Sequence, residues 1–427
     1  MKIYFDSIGC RLNQSEVEGF ANIFRASGHE IVGSPEEADL AIVNTCAVTV
    51  KAAADSRKRL RRAGRNGAKR VIATGCWTTL YPQKAMALKG VTDVVVNAEK
   101  DTLVPDLLGM TAQDLADLHL LREPLPGDRG RTRAFIKVQE GCDNTCTYCL
   151  TRVARGKSRS RDLQAIRQDI QAAVAGDAKE IVLTGVQLGG WGKDLTETKS
   201  LGDLLSAILE MEGFQRLRLS SIEPWDFDPA ILALWQDRRL CRHLHIPLQS
   251  GNNRILKAMG RPISTSDYAE LIAAIRQVIP DIAITTDVIA GFPGETDVDF
   301  NATKSFVRSM GFSGGHVFSY SPRPGTAAFN LKPRVPVQTV KDRNAELRRV
   351  FKETGLLYRE RFIGSQIPVL WESSVEIEGG QLRWSGLTDN YIRVHATAGE
   401  DLWNHLSMVK LESHYHQRNA LFGTIIA

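Results

Sequence analysis

The sequence predicts an α/β protein with an N-terminal parallel α/β sheet domain, a central open (β/α)6 barrel and a small C-terminal β-barrel. Three observations carry this prediction. Short apolar runs alternate with amphipathic stretches through most of the 427 residues, as in β–α–β units that build a parallel sheet. Proline and glycine interrupt the alternation at 111–131. From residue 366 the apolar runs shorten and glycine and asparagine turns separate them, which is typical of a small all-β barrel.

We therefore predict a domain at 1–110, a linker at 111–131, a barrel at 132–365 and a β-barrel at 366–427. Hydrophobic residues make up 43% of the chain and charged residues 24%, as in soluble globular proteins. No apolar run approaches membrane-spanning length, and the start reads as a strand rather than a signal peptide, so we expect a cytoplasmic protein. Seven cysteines, an odd number without a secretory context, indicate reduced thiols that bind metal.

Each of three predicted strands in the N-terminal domain is followed by a cysteine: 2–8 by Cys10, 40–43 by Cys46, and 70–73 by Cys76. Right-handed crossovers place the carboxyl ends of such strands at one edge of the sheet, where open sheets bind ligands. Taken singly, each cysteine could be a buried small hydrophobe. Three at equivalent positions predict a second iron–sulfur cluster, held by three cysteines with one iron open.

The stretch Cys142, Cys146 and Cys149 follows the first predicted strand of the central barrel. Three thiolates at this spacing suit three irons of a [4Fe–4S] cluster. The fourth iron could chelate S-adenosylmethionine and pass it an electron, which splits it into methionine and a 5′-deoxyadenosyl radical. A zinc site would need a fourth nearby ligand. The next cysteine, Cys241, is far along the chain, and its apolar neighbours predict a buried, inert thiol.

The central barrel is predicted from six strands, at 134–138, 180–184, 216–220, 243–247, 283–289 and 315–319. Helices separate them, at 163–175, 201–210, 228–237, 253–259 with 266–278, and 297–310. Function in such barrels lies at the carboxyl ends of the strands. Gly185 and Gly291 there allow a ligand close to the backbone, and Glu223 or Gln249 could bond its polar groups. Singly, each of these segments could be an ordinary turn.

The formal net charge of +5 is modest, but basic residues are concentrated at 57–70 and 152–161. Such runs without acids favour a polyanion contact over a solvated helix face. We expect phosphate contacts from Arg59, Arg62, Arg155, Arg159 and Arg161.

The remaining charged segments contain acidic residues and do not predict an extended polyanion contact. Interleaved acids at 341–361 predict a salt-bridged helix instead. The C-terminal segment is acidic, so any RNA contact there would be local, through its histidines, Tyr391 or these basic residues: Arg383, Arg393, Lys410 and Arg418.

Several motifs together carry a family resemblance: Gly9-Cys10-Arg11-Leu12-Asn13, Asn44-Thr45-Cys46, Thr74-Gly75-Cys76, Gln139-Glu140-Gly141-Cys142, Ser221-Ile222-Glu223-Pro224, Pro247-Leu248-Gln249-Ser250-Gly251 and Gly291-Phe292-Pro293-Gly294-Glu295. The chain resembles the methylthiotransferases, in which a domain with three dispersed cysteines precedes a radical S-adenosylmethionine core and a C-terminal TRAM domain. Its start and the segment 318–327 look most like the branch that modifies threonylcarbamoyladenosine at position 37 of tRNA. Related branches act on isopentenyladenosine in tRNA or on an aspartate of a ribosomal protein. The usual Cys-Ile-Ile-Pro is here Cys149-Leu150-Thr151-Arg152.

The resemblance implies two [4Fe–4S] clusters, one on Cys142, Cys146 and Cys149 and an auxiliary one on Cys10, Cys46 and Cys76. It also implies that S-adenosylmethionine serves as methyl donor and radical source. The implied cofactor contacts are Tyr148, which matches the aromatic usual before the last cysteine, with Gly185, Glu223, Gln249 and Gly291. The implied partners are the anticodon stem-loop and an external electron donor, and the implied state is a monomer.

Two other readings stay open. A non-catalytic RNA-binding protein with a structural metal site would lose its fold or its RNA binding when Cys142, Cys146 or Cys149 is removed. A radical enzyme of another chemistry, such as a simple methylase, would not need Cys10, Cys46 or Cys76.

Overall fold

The computed structural model describes residues 1–65, 67–126, 132–415 and 419–426. The end of the predicted linker, 127–131, and Arg418 lie outside the described residues. The chain forms two compact units: Met1–Asn144, Leu150–Val186 and Asp194–Thr196 in the first, and Thr145–Cys149, Gln187–Lys193 and Glu197–Ala427 in the second.

The first unit begins with a parallel sheet of five strands, ordered β2-β1-β3-β4-β5. These are β1 (Lys2–Ser7), β2 (Glu30–Val32), β3 (Leu40–Thr45), β4 (Arg70–Gly75) and β5 (Asp93–Val94). The helices of this part are α1 (Arg11–Ala26), α2 (Val50–Arg65), α3 (Cys76–Leu80), α4 (Pro82–Met86), α5 (Leu103–Leu108) and α6 (Ala112–Ala116). Strand β3 is buried at every residue because helices cover both faces of a parallel sheet. The predicted linker at 111–131 is partly helical, because it contains α6. A capping box formed by Thr111 and Asp114 stabilises the start of that helix.

The first unit also holds β6 (Arg133–Lys137), β7 (Gln139–Glu140), α7 (Thr151–Arg155), β8 (Arg159–Ser160), α8 (Leu163–Ala175) and β9 (Glu180–Thr184). Strands β6 and β9 pair in parallel, and β7 and β8 form a short antiparallel pair. The strands predicted at 134–138 and 180–184 are therefore present.

The second unit continues the alternation with α9 (Leu201–Leu209), β10 (Arg216–Leu219), β11 (His243–His245), α10 (Asn253–Ala258), α11 (Thr265–Val278), β12 (Ala283–Ala290), α12 (Asp297–Met310), β13 (Gly314–Ser319) and α13 (Val337–Glu360). Strands β11, β12 and β13 form a parallel sheet. The helix predicted at 228–237 is instead a 3-10 segment, Pro229–Gln236.

The C-terminal strands close into a barrel ordered β14-β15-β16-β18-β17. They are β14 (Gln366–Glu376), β15 (Leu382–Thr388), β16 (Arg393–Ala398), β17 (Leu406–Tyr415) and β18 (Ala420–Ile425). Trp371, Trp384 and Leu411 fill the barrel with other apolar side chains. The predicted fold class is confirmed at both ends of the chain, by the parallel sheet and by this barrel. The sequence predicts C-terminal strands at 367–371, 391–395, 408–411 and 421–426, and it therefore misses β15.

Within the described residues, no helix combines the length and the apolar composition that crossing a membrane requires.

Candidate metal centres and ligand site

The structure brings Cys10, Cys46 and Cys76 to one edge of the N-terminal sheet. Cys10 precedes α1, Cys46 follows β3, and Cys76 opens α3 directly after β4. Because β1, β3 and β4 are adjacent and parallel, their carboxyl ends meet at the same edge. Gly9 has φ +110°, and a Cβ on it would lie 2.6 Å from the Cys46 Sγ atom. Only glycine therefore lets the end of β1 approach this cysteine so closely.

The three thiols are free, and Cys10 is exposed whereas Cys46 and Cys76 are buried. Burial raises the pKa of Cys46 to about 11, and the Cys10 and Cys76 thiols add to the rise. The backbone N–H of Val48 donates to the Cys46 Sγ atom over 3.4 Å, and the Asn97 Nδ2 atom lies 3.8 Å from the Cys76 Sγ atom. Three clustered soft donors, one reachable from solvent, fit an iron–sulfur cluster.

A buried charged network lies beside these thiols. The Arg155 guanidinium donates to Glu16 at 2.8 Å, to Glu140 at 2.7 Å and to Asn13 at 2.5 Å. Lys100 donates to Glu16 at 2.8 Å, and the side chains of Arg155, Glu16 and Lys100 are at most 2% exposed. Ion pairing and hydrogen bonding offset the cost of burying these charges. Burial raises the pKa of Cys10, and the positive charge of Arg155 opposes that rise.

The prediction of an RNA contact does not fit Arg155. Its guanidinium is enclosed in the network just described, so no phosphate can reach it. The signal for this buried network is weak in the sequence, because Glu16 and Lys100 resemble surface residues until the fold gives them partners.

The other three cysteines belong to the loop after β7. Cys142 lies in the first unit, where its N–H donates to the Gly156 carbonyl at 3.1 Å. Cys146 and Cys149 lie in the second unit, and the Cys149 N–H donates to the Cys146 carbonyl at 3.1 Å. Thr147 anchors this part of the loop, because its N–H donates to the Met259 carbonyl at 2.9 Å. The described residues thus hold the last two cysteines in a defined turn, with Cys149 exposed.

Four of the five predicted cofactor contacts lie in the second unit. Tyr148 packs with its ring edge toward Phe292, with centroids 6.4 Å apart, in an apolar cluster that includes Ile289. Gly291 precedes Phe292, and its N–H donates to the Glu295 carboxylate at 2.9 Å. Gln249 has φ +70° and its N–H donates to the Asp287 carbonyl at 2.8 Å.

The remaining two predicted contacts have different surroundings. Gly185 follows β9 in the first unit. The Glu223 carboxylate accepts a hydrogen bond from Arg261 at 2.7 Å. The Arg261 side chain is 1% exposed, also donates to the Pro247 carbonyl at 2.5 Å, and lies over the Trp225 ring at 4.5 Å. Sequence reasoning missed Arg261, because its role depends on partners that are distant in the chain.

Sequence reasoning also missed a polar group formed by His245, Asp287 and His316. The His245 Nε2 atom lies 3.3 Å from one Asp287 oxygen, and the His316 Nδ1 atom lies 3.2 Å from the other. Burial would raise the pKa of Asp287, but hydrogen bonds to the two histidines hold it well below its ordinary value. These residues alternate with apolar ones on β11, β12 and β13, a pattern that also suits an ordinary half-buried strand.

Most of the predicted phosphate contacts are at the surface. Arg59 and Arg62 are exposed on α2, where Arg59 pairs with Asp6. The Arg159 side chain is 57% exposed and pairs with Asp101 at 3.0 Å. Arg161 is partly exposed and pairs with Asp169 at 2.5 Å.

The predicted C-terminal RNA contacts differ in their accessibility. The Tyr391 ring is half-buried and stacks on His243 with centroids 4.0 Å apart, and its RNA contact stays a prediction. Arg393 pairs with Glu372, whereas Arg383 lies 6.0 Å over the Tyr415 ring.

Comparisons with known proteins match both the N-terminal part and the central part of the chain. Residues 136–307 match the Radical SAM superfamily, and residues 2–97 match the uncharacterized protein family UPF0004. The threonylcarbamoyladenosine tRNA methylthiotransferase MtaB of Thermotoga maritima is 39% identical over 380 residues, which cover 87% of this chain and 86% of the relative. The tRNA-2-methylthio-N(6)-dimethylallyladenosine synthase of Geobacillus kaustophilus is 32% identical over 432 residues, covering 96% and 80%.

Among solved structures, the chain is similar to the radical S-adenosylmethionine methyltransferase TsrM of Kitasatospora setae. The TM-score is 0.58 at 13% identity, and the alignment covers 77% of this chain and 74% of that one. This likeness shows the shared fold.

Proposed function

The chain belongs to the radical S-adenosylmethionine tRNA methylthiotransferases, and from that premise we propose that it adds a methylthio group to carbon 2 of threonylcarbamoyladenosine at position 37 of tRNA. The protein is an enzyme, a transferase. The observation that carries the methylthio transfer is the convergence of three free thiols at the edge of the N-terminal sheet, because they could hold a second cluster that supplies the sulfur. The substrate is taken from the Thermotoga maritima relative, whose identity to this chain is 39%.

Family membership implies a [4Fe–4S] cluster and S-adenosylmethionine. We assign that cluster to Cys142, Cys146 and Cys149, and a second, auxiliary cluster to Cys10, Cys46 and Cys76. When bound, these groups supply a 5′-deoxyadenosyl radical, a methyl group and the sulfur that is transferred. Carbon 2 of adenine needs radical chemistry because its C–H bond offers little to an acid, a base or a nucleophile.

The protein's own residues would bind and orient these groups. Glu223 and Gln249 would bond the polar groups of S-adenosylmethionine, with Tyr148, Gly185 and Gly291 lining its site. Arg261 would hold the Glu223 carboxylate in place, since it donates to that carboxylate and is itself fixed by the Pro247 carbonyl. Polar donors near the sulfur atoms tune iron–sulfur clusters, which is the role we give to Asn97 and the Val48 N–H.

The anticodon stem-loop would contact Arg59 and Arg62 on α2, together with Arg159 and Arg161. The target base would be splayed out of the loop to reach the reacting groups. An external electron donor would reduce the radical-generating cluster. We keep the domain boundaries at 110, 131 and 365 as a proposal. The family matches at 2–97 and 136–307 support it, because each lies inside one of the proposed domains. The C-terminal barrel would be a TRAM-like domain. The protein would be monomeric, and a cytoplasmic location would suit a tRNA substrate.

Nucleoside mass spectrometry of tRNA tests the proposal directly. A strain lacking the protein should lose the methylthio group from threonylcarbamoyladenosine. Wild type and Cys241→Ala should restore it, because Cys241 is a buried thiol outside both sites, whereas Cys10→Ala should not. Purified wild-type protein should hold about eight irons per chain and the Cys10→Ala/Cys46→Ala/Cys76→Ala variant about four.

Other outcomes would select other functions. An unchanged threonylcarbamoyladenosine pool with altered isopentenyladenosine, or with an altered ribosomal protein, would contradict the assigned substrate. Full restoration by Cys10→Ala would show that the N-terminal thiols are dispensable, as in a simple methylase. Loss of fold or of RNA binding on removal of Cys146 would indicate a structural metal site.

A further inference from the structure

One face of the β11–β12–β13 sheet carries a cluster of polar side chains, His245, Asp287 and His316, which we call the polar recess. Side chains on a strand alternate between faces, so Asp287 shares its face of β12 with Thr285 and Ile289. Asp287 is the direct register partner of His316, and Thr285 is that of His245. Side-chain exposure rises from 15% at His245 through 24% at Asp287 to 72% at His316. The recess is thus open on the side of β13 and closed toward β11.

The bottom of the recess is fixed by a column of polar contacts. The His245 Nδ1 atom lies 2.9 Å from the Thr285 hydroxyl, which lies 3.0 Å from the His243 Nε2 atom. His243 in turn stacks on Tyr391, and the Arg218 guanidinium lies 5.1 Å from that ring. These contacts hold His245 and Asp287 in place before any ligand binds, as a selective site requires.

The recess also lies next to the predicted cofactor contacts of the same unit. The Gln249 N–H donates to the Asp287 carbonyl at 2.8 Å, and the Ile289 N–H donates to the Gln249 carbonyl at 2.9 Å. Ile289, one pleat beyond Asp287, packs in the apolar cluster that contains Tyr148 and Phe292. A molecule bound at the recess would therefore lie close to Gln249 and Tyr148, two of the proposed cofactor contacts.

We propose that His245, Asp287 and His316 bind the threonylcarbamoyl substituent of the target adenine and discriminate against a hydrocarbon substituent. This inference rests on the proposed function. A threonylcarbamoyl group carries ureido N–H donors, a hydroxyl and a carboxylate, so it can donate to Asp287 and accept from a ring N–H of His316. His245, whose two ring nitrogens contact Thr285 and Asp287, positions the Asp287 carboxylate. A dimethylallyl group, present in the name of the Geobacillus kaustophilus relative, has no hydrogen-bonding atom.

The discrimination follows from desolvation. A hydrocarbon placed over the recess would remove water from the Asp287 carboxylate and from His316 without replacing its hydrogen bonds. Sites built to hydrogen-bond a substrate group reject the analogue that lacks it much more strongly than apolar pockets reject an added polar group. The recess should therefore favour the polar substituent over the apolar one.

The test compares wild type with His316→Phe, which makes the open side of the recess apolar. His119→Phe serves as the matched control, because His119 is an exposed histidine outside the recess. Synthetic anticodon stem-loops carry adenosine, threonylcarbamoyladenosine or isopentenyladenosine at the target position. Fluorescence anisotropy gives their affinities, mass spectrometry gives methylthio product, and 5′-deoxyadenosine release without RNA reports the radical machinery.

We expect wild type to bind the threonylcarbamoyl stem-loop at least about tenfold more tightly than the isopentenyl one. His316→Phe should reduce that ratio by about tenfold, whereas affinity for the unmodified stem-loop and 5′-deoxyadenosine release stay at the wild-type level. Asp287→Asn, of nearly the same shape, should reduce the ratio in the same direction. His119→Phe should leave it unchanged.

An unchanged ratio of the threonylcarbamoyl to the isopentenyl affinity in both His316→Phe and Asp287→Asn would overturn the recess as the specificity site. So would a stoichiometric metal ion beyond the cluster iron that Asp287→Asn removes, since the three side chains would then be metal ligands. These results differ from failure of the proposed function, in which wild type forms no methylthio product from the threonylcarbamoyl stem-loop.

Discussion

Arg155 shows how much a single side chain contributes when its charge is buried. It sits in a basic stretch that reads as a phosphate contact, yet its guanidinium bonds Glu16, Glu140 and Asn13 inside the first unit. Its neighbour Arg159 is exposed and pairs with Asp101. Two arginines four residues apart therefore have different roles, and only the folded environment separates them.

This contrast yields a stability prediction. Arg155→Met leaves the carboxylates of Glu16 and Glu140 without their shared partner, and breaking a buried pair in this way costs about 3–5 kcal/mol. The unfolding temperature should fall clearly, as measured by differential scanning calorimetry. Lys69→Met, which removes an exposed pair with Asp39 in the same unit, should change the unfolding free energy by less than about 1 kcal/mol. Equal effects of the two substitutions would contradict the assigned role of the network.

The same comparison explains which site residues the sequence could predict. Cys142, Cys146 and Cys149 are predictable from local spacing, and Cys10, Cys46 and Cys76 from their common position after a strand. Arg261 and Asp287 are not predictable, because each depends on partners that the fold brings from other strands. A lone charged or histidine residue in a strand carries too little information to reveal such a partner.

At the level of elements, α2 concentrates exposed positive charge on one helix. Ser56, Leu60 and Ala63 face the core, whereas Arg62 and Arg65 are exposed. On α13, by contrast, arginines pair with acidic residues, since Glu353 contacts both Arg308 and Arg349. The basic residues of α13 are thus partly neutralised within the protein, as the mixed composition of 341–361 predicts.

The charge on α2 gives a prediction for RNA binding. Arg62→Ala/Arg65→Ala should weaken binding of the stem-loop and make log K fall less steeply with log salt, by roughly one to two in slope. Alanine keeps the helix intact. Fluorescence anisotropy at several salt concentrations measures the slope. The matched variant Arg348→Ala/Arg349→Ala, also exposed on a helix, should leave the slope unchanged. A similar loss in both variants would point to net charge alone rather than to an α2 contact.

Elements with strong periodicity were predicted well, and weakly patterned ones were not. Strands β1, β3, β4 and β12 are apolar runs bounded by clear turns, so their positions follow from the sequence. Strand β15 contains Arg383, Ser385 and Gly386, which dilute its apolar pattern, and it becomes a strand through pairing with β14 and β16. The 3-10 segment Pro229–Gln236 begins with a proline and buries only Ile231 and Leu232. Its apolar pattern alone does not distinguish a 3-10 segment from an α-helix.

At the scale of the whole molecule, arginines help to attach the C-terminal barrel to the rest of the second unit, beside apolar contacts with Tyr358 and Phe362. Arg216 donates to the Leu387 and Pro368 carbonyls at 2.8 and 2.6 Å, and Arg218 donates to the Asp389 carbonyl at 2.9 Å. Arg242 forms two hydrogen bonds with the Asp389 carboxylate, at 2.7 and 3.0 Å. Composition alone could predict a separate β-barrel but not this attachment, because the arginines belong to β10 and to the loop before β11.

The attachment predicts a local effect of Arg242→Met. The substitution removes a bidentate, charge-assisted contact, which we expect to cost about 1–3 kcal/mol because the Asp389 carboxylate is only 17% exposed. Since the lost contact lies between the barrel and β11, amide hydrogen exchange should become faster in 366–415 and 419–426 while residues 1–65 keep their protection. The control Arg308→Met removes a pair with Glu353 whose side chains are 55% and 49% exposed, so its exchange pattern should match wild type. Faster exchange throughout the chain in Arg242→Met would instead show that the contact stabilises the whole molecule. No change in the barrel would show that the remaining contacts, from Arg216, Arg218 and the apolar residues, suffice to hold it.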